Sequence, residues 1–250
     1  MMRQKYDSLG KDYKIQRKPD HRIKRFIFNA LGNAETVLNV GAGTGAYEPL
    51  DRKVVAIEPS KTMIKQRSKS TAPIIQASSQ HLPFRDSVFD AVMALLTIHH
   101  WPDIEGGLRE MVRVTRQHVV IFTWDPSSNG FWLVRDYFPR ILDIDRKSFP
   151  GIEMIGSFFR RISVQKVAIP YDCTDGFLGA YWRRPYEYLK PDIRKSISTF
   201  NNISPDDNGF KRLEQDLSTG EWDKRYYDLL GKSSLDIGYR IIAAEIESPS

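Results

Sequence analysis

The segment Val37-Leu-Asn-Val-Gly-Ala-Gly-Thr-Gly-Ala-Tyr-Glu48 constrains the fold of this chain more than any other. A short apolar run enters a turn punctuated by Gly41, Gly43 and Gly45, so the backbone can reverse sharply and a ligand can approach main-chain atoms with no Cβ in the way. A second apolar run ends at Ile57-Glu58-Pro59. If the two runs are parallel strands, both turns lie at the carboxyl edge of one sheet, where open α/β folds bind their ligands. A carboxylate there can accept hydrogen bonds from the two vicinal hydroxyls of a ribose. Together these features predict an adenosine-type ligand, held by backbone at one end and by Glu58 at the other. Gly41-x-Gly43-x-x-Ala46 also satisfies the relaxed dinucleotide fingerprint, so the glycines alone leave a nicotinamide cofactor open.

The remaining pattern predicts the rest of such a sheet. Short apolar runs at Thr36 to Val40, Val54 to Ile57, Pro73 to Gln76, Phe89 to Ala94 and Val119 to Thr123 alternate with helical stretches at Ser60 to Ser68 and Ile104 to Val114, with a further short helix expected after Gly45. Runs this short and this apolar read as parallel strands buried on both faces. Ahead of them, Ile23, Phe26, Ile27, Ala30 and Leu31 recur at helical spacing between Asp20 and Gly32, which predicts an amphipathic helix with a basic outer face. Beyond Asp125 the chain is mainly helical and dense in aromatics, with strands expected at Ile162 to Ile169 and Tyr239 to Glu245. Four regions follow: a basic leading helix or lid over 1–34, a ligand-binding core over 35–125, a helical cover with one sheet strand over 126–235, and the last strand and tail over 236–250.

Composition narrows the classes of function. The formal charge of +6 invites a nucleic-acid reading, but residues 1–34 hold nine Lys/Arg against three Asp/Glu, while the two signs balance across both 35–125 and 126–250. The excess belongs to one leading segment, so nucleic acid is not the expected partner. Apolar runs such as Ala91 to Ile98 fall far short of the ~20 residues that span a bilayer, and the first residues lack the apolar core of a signal peptide. A soluble, cytoplasmic protein is expected, as a monomer or homodimer. A single cysteine, Cys173, excludes an intrachain disulfide, and the five histidines show no metal-ligand spacing. No metal is expected.

The glycine turn, Glu58, Ala77-Ser-Ser-Gln-His-Leu-Pro-Phe84, Asp86-Ser-Val-Phe-Asp-Ala-Val92, Thr97-Ile-His-His-Trp-Pro-Asp103 and Leu108-Arg-Glu-Met-Val-Arg-Val114 form an ordered series. The series resembles the class I S-adenosylmethionine-dependent methyltransferases, in their type 11, small-molecule branch. The resemblance is close over 35–125 and looser elsewhere. It implies a Rossmann-like sheet of seven mostly parallel strands with helices on both faces, S-adenosylmethionine as cofactor and a small-molecule acceptor. It further implies that Gly41, Ala42, Gly43 and Gly45 embrace the methionine end, that Glu58 holds the ribose, and that Pro59, Ser60 and Met63 lie beside ribose and adenine. Ser78 and Ser79 would meet the adenine rim, with Leu95 under the cofactor. Three positions depart from the family: Asn39 stands where an acid is usual, Ser78 where an Asp is usual, and Val114-Thr-Arg-Gln-His118 replaces a Lys-Pro-Gly-Gly turn.

A sulfonium methyl is already activated, so such a protein must mainly align acceptor, methyl and leaving sulfur. Where the acceptor must lose a proton, His100, or less readily His99, is placed to take it. In an extended segment the two rings cannot both face one pocket. His81, His21 and His118 read as structural or exposed. Tyr13 and Arg17 resemble the leading segment that folds over the cofactor in related enzymes, and Trp124, Phe131, Tyr181 and Trp182 are the aromatic candidates for an acceptor site. The rival readings are an RNA or protein methyltransferase using the basic N-terminus, a non-catalytic nucleotide-binding protein and a nicotinamide dehydrogenase.

Overall fold

In the computed structural model the described residues are 17–246, except 70 and 206. Strands β1 (Thr36–Val40), β2 (Lys53–Ile57), β3 (Ile74–Ile75), β4 (Phe89–Leu95) and β5 (Thr115–Trp124) are parallel, and β6 (Ile162–Lys166) and β9 (Tyr239–Glu245) complete a seven-stranded sheet of order β3-β2-β1-β4-β5-β9-β6. The strand β9 runs antiparallel to both neighbours. A second, two-stranded sheet joins β7 (Ile169–Pro170) to β8 (Ser234–Leu235).

Strand alternation sorts the apolar residues into two layers. Val37, Ala91, Met93, Val120 and Phe122 face Ile23, Ile27 and Leu31 of α1 (His21–Leu31) and the aromatic helical region. Leu38, Val40, Val92, Ala94, Val119 and Ile121 face Leu108, Met111 and Val114 of α3 (Ile104–Val114). The short α2 (Lys61–Lys65) lies between β2 and β3 in the chain. Asp20 caps α1, accepting from the Arg22 N–H at 2.9 Å and from the Arg22 guanidinium. Burial opposes the Asp20 charge, but Arg22 and the Thr174 N–H outweigh it and hold the carboxyl at about 2. Part of the N-terminal basic excess is thus paired internally: Arg22 also meets Asp172, and Arg17 meets Asp175.

Several expected boundaries move. No helix follows Gly45; residues 41–47 are turns, because Tyr47 takes a left-handed φ of 64° that a helix cannot continue. The helix expected over Ser60 to Ser68 contracts to Lys61–Lys65, with Ser60 as its cap. The single strand expected over Ile162 to Ile169 divides between the two sheets. The Val114 to His118 segment contains no turn before the fifth strand: α3 ends at Val114 and β5 starts at Thr115, whose hydroxyl donates to the Met111 carbonyl.

Candidate active site

The chain passes from β1 to β2 and β3 on one side, then returns to place β4 on the other, so the order in which strands are added reverses between β1 and β4, which are themselves parallel. A cavity of about 280 Å³ opens at the carboxyl ends of these strands. Of the residues expected around a cofactor, Gly41, Ala42, Gly43, Glu58, Pro59, Met63, Ser78, Ser79 and Leu95 all line it. Ser60 and Gly45 do not. The buried Ser60 accepts the Met63 N–H at 3.3 Å, and Gly45 lies over the side chains of Arg67, Thr71 and Glu48.

Main chain anchors Glu58: Gly43 N–H donates to Oε2 at 2.8 Å and Ser60 N–H to Oε1 at 2.9 Å. The carboxylate is therefore fixed against the loop opposite it, with only 5% of the residue exposed. Gly41 (φ 70°) and Gly43 (φ 52°) both occupy left-handed backbone. A Cβ on Gly41 would collide with the Thr97 hydroxyl, whereas one on Gly43 would meet nothing within 4 Å.

A second cavity, of about 70 Å³, adjoins the first, and the two share Arg17, Leu96 and His100. Trp124, Phe131, Phe149, Phe177 and Tyr239 wall it, with His99 also in its lining. Both histidines reach it because Ile98–His100 is a tight 3₁₀ turn rather than an extended segment; His99 stacks on Phe149 with ring centroids 3.9 Å apart. Of the two histidines, His100 alone lines both cavities.

Two of the aromatic candidates lie apart from both cavities. Trp182 is fully buried and donates its indole N–H to the Ile169 carbonyl at 2.9 Å, and Tyr181 packs edge-on against Tyr188; neither lines either of these two cavities. They belong to an aromatic core in which Trp132 donates to the Trp182 carbonyl at 2.7 Å and packs on Trp222. Tyr13 lies outside the described residues.

Asp175 was missed by sequence reasoning. Fully buried, it accepts from Arg17 Nε at 2.6 Å and Nη2 at 3.3 Å and from the Tyr47 hydroxyl at 2.9 Å. Burial, with the Asp175 charge nearby, pushes the Tyr47 phenol well above its ordinary range and keeps it a donor. One carboxylate thus ties Arg17, the end of the glycine loop and the helical region together. These contacts span 128 and 158 residues, and no local pattern announces them.

Comparison with known proteins agrees with this geometry. The profile of a methyltransferase-domain family matches residues 38–123. A crystal structure from Anabaena variabilis, of a protein assigned as a methyltransferase from an antibiotic biosynthesis pathway, superposes with a TM-score of 0.84 at 32% identity, over 92% of this chain and 98% of that one. Demethylmenaquinone methyltransferase of Corynebacterium urealyticum is 35% identical over 124 residues, 44% of this chain and 53% of its own. A 2-methyl-6-phytyl-1,4-hydroquinone methyltransferase of rice is 27% identical over 167 residues, 60% of this chain and 49% of its own. The chain spans about half the length of the curated relatives it matches. It belongs to the class I S-adenosylmethionine-dependent methyltransferases.

Proposed function

We propose that this protein transfers the methyl group of S-adenosylmethionine to a small hydroxylated aromatic molecule enclosed between the sheet edge and the 126–235 region. The observation that carries the reading is the meeting of two cavities at Arg17, Leu96 and His100. The first suits the cofactor: left-handed glycines leave main chain bare, and a buried, anchored carboxylate on the opposite wall suits a ribose. Gly41, Ala42 and Gly43 would hold the methionine end, Glu58 the ribose, and Met63, Ser78 and Ser79 the adenine. Met63 offers a polarizable apolar face and is itself buried. When bound, the cofactor supplies a methyl group already activated on a sulfonium.

The chain's own part is to orient the acceptor, exclude water and remove a proton. Aromatic walls in the second cavity suit a flat ring, and one relative is named for a hydroquinone. A hydroxyl must lose its proton as it attacks, and the His100 imidazole stands where the cavities join. His99, stacked on Phe149, also packs against the His100 ring with centroids 3.7 Å apart, which restricts that imidazole. Arg17, fixed by Asp175, places a cation at the same junction.

The test is S-adenosylhomocysteine formation with a panel of phenols, hydroquinones and amines. With a phenolic acceptor, His100→Ala lowers kcat by about 100-fold or more and leaves the S-adenosylhomocysteine dissociation constant within about twofold in calorimetry. Unchanged kcat rejects the base role, and turnover confined to amines rejects the hydroxyl acceptor.

A further inference from the structure

Gly45 lines neither cavity, yet its φ is 89° and it sits in the same loop as the two glycines that do. What occupies the space beneath it is the Thr71 methyl, 2.8 Å from an added Cβ, and a buried ion pair. A Cβ at Gly45 would lie 3.1 Å from Arg67 Nη1 and 3.1 Å from Glu48 Oε2. Arg67 Nη2 donates to both Glu48 oxygens, at 2.8 and 2.9 Å, and the two side chains are only 4% and 3% exposed.

The pair is connected to the cavity wall at two points. Arg67 Nη1 donates to the Gly43 carbonyl at 3.3 Å, and the N–H of Gly43 in turn donates to Glu58. On the other side, the Asn39 amide donates from Nδ2 to Glu48 Oε1 at 3.1 Å. Asn39 ends up 2% exposed and lines the cavity. A carboxamide is planar, so donating Nδ2 to Glu48 turns Oδ1 to the opposite side. The Ala72 N–H, at 2.9 Å from Oε2, completes the shell of Glu48.

We infer that Glu48 and Arg67 are positioning residues for the cofactor loop: the guanidinium holds the Gly43 carbonyl from behind, and the carboxylate fixes the orientation of Asn39. The inference rests on the reading that the first cavity takes the cofactor. It accounts for two features of the sequence that ligand contact does not. Gly45 is a glycine because its φ is 89° and because the Thr71 methyl, at 2.8 Å, and the ion pair, at 3.1 Å, leave no room for a Cβ. A neutral Asn39 avoids setting a second carboxylate about 3.1 Å from Glu48, where two like charges would repel with a single guanidinium, Arg67, beside them.

The experiment is a charge exchange read by S-adenosylhomocysteine calorimetry well below the thermal midpoint of each variant. N39D raises the dissociation constant about tenfold or more, and the double variant N39D/E48Q, which restores one acid and one amide across the same contact, returns it to within about threefold of wild type. Arg67→Met weakens binding by a similar factor and Arg67→Lys by less, with the loss in the KM for S-adenosylmethionine larger than the loss in kcat. If the variants lower only the thermal midpoint and bind as wild type does, the pair is merely structural and the inference is wrong. It is equally wrong if the double variant binds no better than N39D. Should N39D not fold, the contrast between Arg67→Lys and Arg67→Met decides alone, equal affinity in the two overturning the inference. Failure of the wild-type protein to bind S-adenosylhomocysteine is a different result, which removes the cofactor reading itself.

Discussion

Gly43→Leu abolishes S-adenosylhomocysteine binding and leaves the protein folded, whereas the smaller change Gly41→Ala damages the fold itself. Both glycines sit at left-handed φ, 52° and 70°, where an L residue costs about 1–2 kcal/mol. Beyond that shared cost they differ in what surrounds them. At Gly43 an added Cβ meets nothing within 4 Å, and the residue lines the larger cavity, so a leucine side chain extends into the space assigned to the cofactor. At Gly41 the Cβ would overlap the Thr97 hydroxyl and lie 2.9 Å from its methyl carbon, while the Gly41 N–H bond to the Ile57 carbonyl ties this end of β1 to β2. Gly43→Leu should therefore weaken binding by at least about 100-fold, about 2.8 kcal/mol, with the circular dichroism spectrum unchanged and the thermal midpoint a few degrees lower. Gly41→Ala should lose several kcal/mol of stability in denaturant titration. Normal binding by Gly43→Leu would show that this cavity is not the cofactor's.

The sheet was legible because its evidence is local. All of its strands but the exposed edge strand β6 contain a short apolar run, and the turns that matter carry glycines or an acid within two residues of a strand end, as at Gly41 and Glu58. Errors arose where tertiary contacts override that signal. The helix expected after Gly45 is absent because Tyr47 is drawn away to Asp175, and the strand expected to run to Ile169 leaves the main sheet because its last residues pair with Ser234 and Leu235 instead. In the same way, the cofactor-side residues were found by position in the turn, while the aromatic candidates beyond Asp125 could only be chosen by type. Trp124 and Phe131 line the second cavity and Trp182 and Tyr181 fill the core, and nothing in composition distinguishes them. The charged residues that hold the site, Glu48, Arg67 and Asp175, form ion pairs across 19 and 158 residues of chain, beyond the reach of any periodicity.

Asp175→Ala is expected to destabilise the fold by about 3–5 kcal/mol or more. The wild-type carboxylate is fully buried and neutralises an Arg17 side chain that is only 14% exposed. Its removal takes from that guanidinium the carboxylate it meets at 2.6 Å, and takes from the Tyr47 hydroxyl its acceptor. Breaking a buried ion pair from one side costs about 3–5 kcal/mol, and a stranded phenol adds to it. Asp175→Asn keeps an acceptor for Tyr47 but not the charge, so its loss should be smaller than that of alanine; denaturant titration of the two variants measures the difference. The same substitution reaches function by geometry, because Arg17 lines both cavities and Tyr47 ends the loop that would cradle the methionine moiety. At temperatures where Asp175→Asn remains folded, affinity for S-adenosylhomocysteine and the KM for the acceptor should therefore both worsen. A variant that loses stability but keeps both constants would confine Asp175 to the architecture and free Arg17 from any part in joining the two sites.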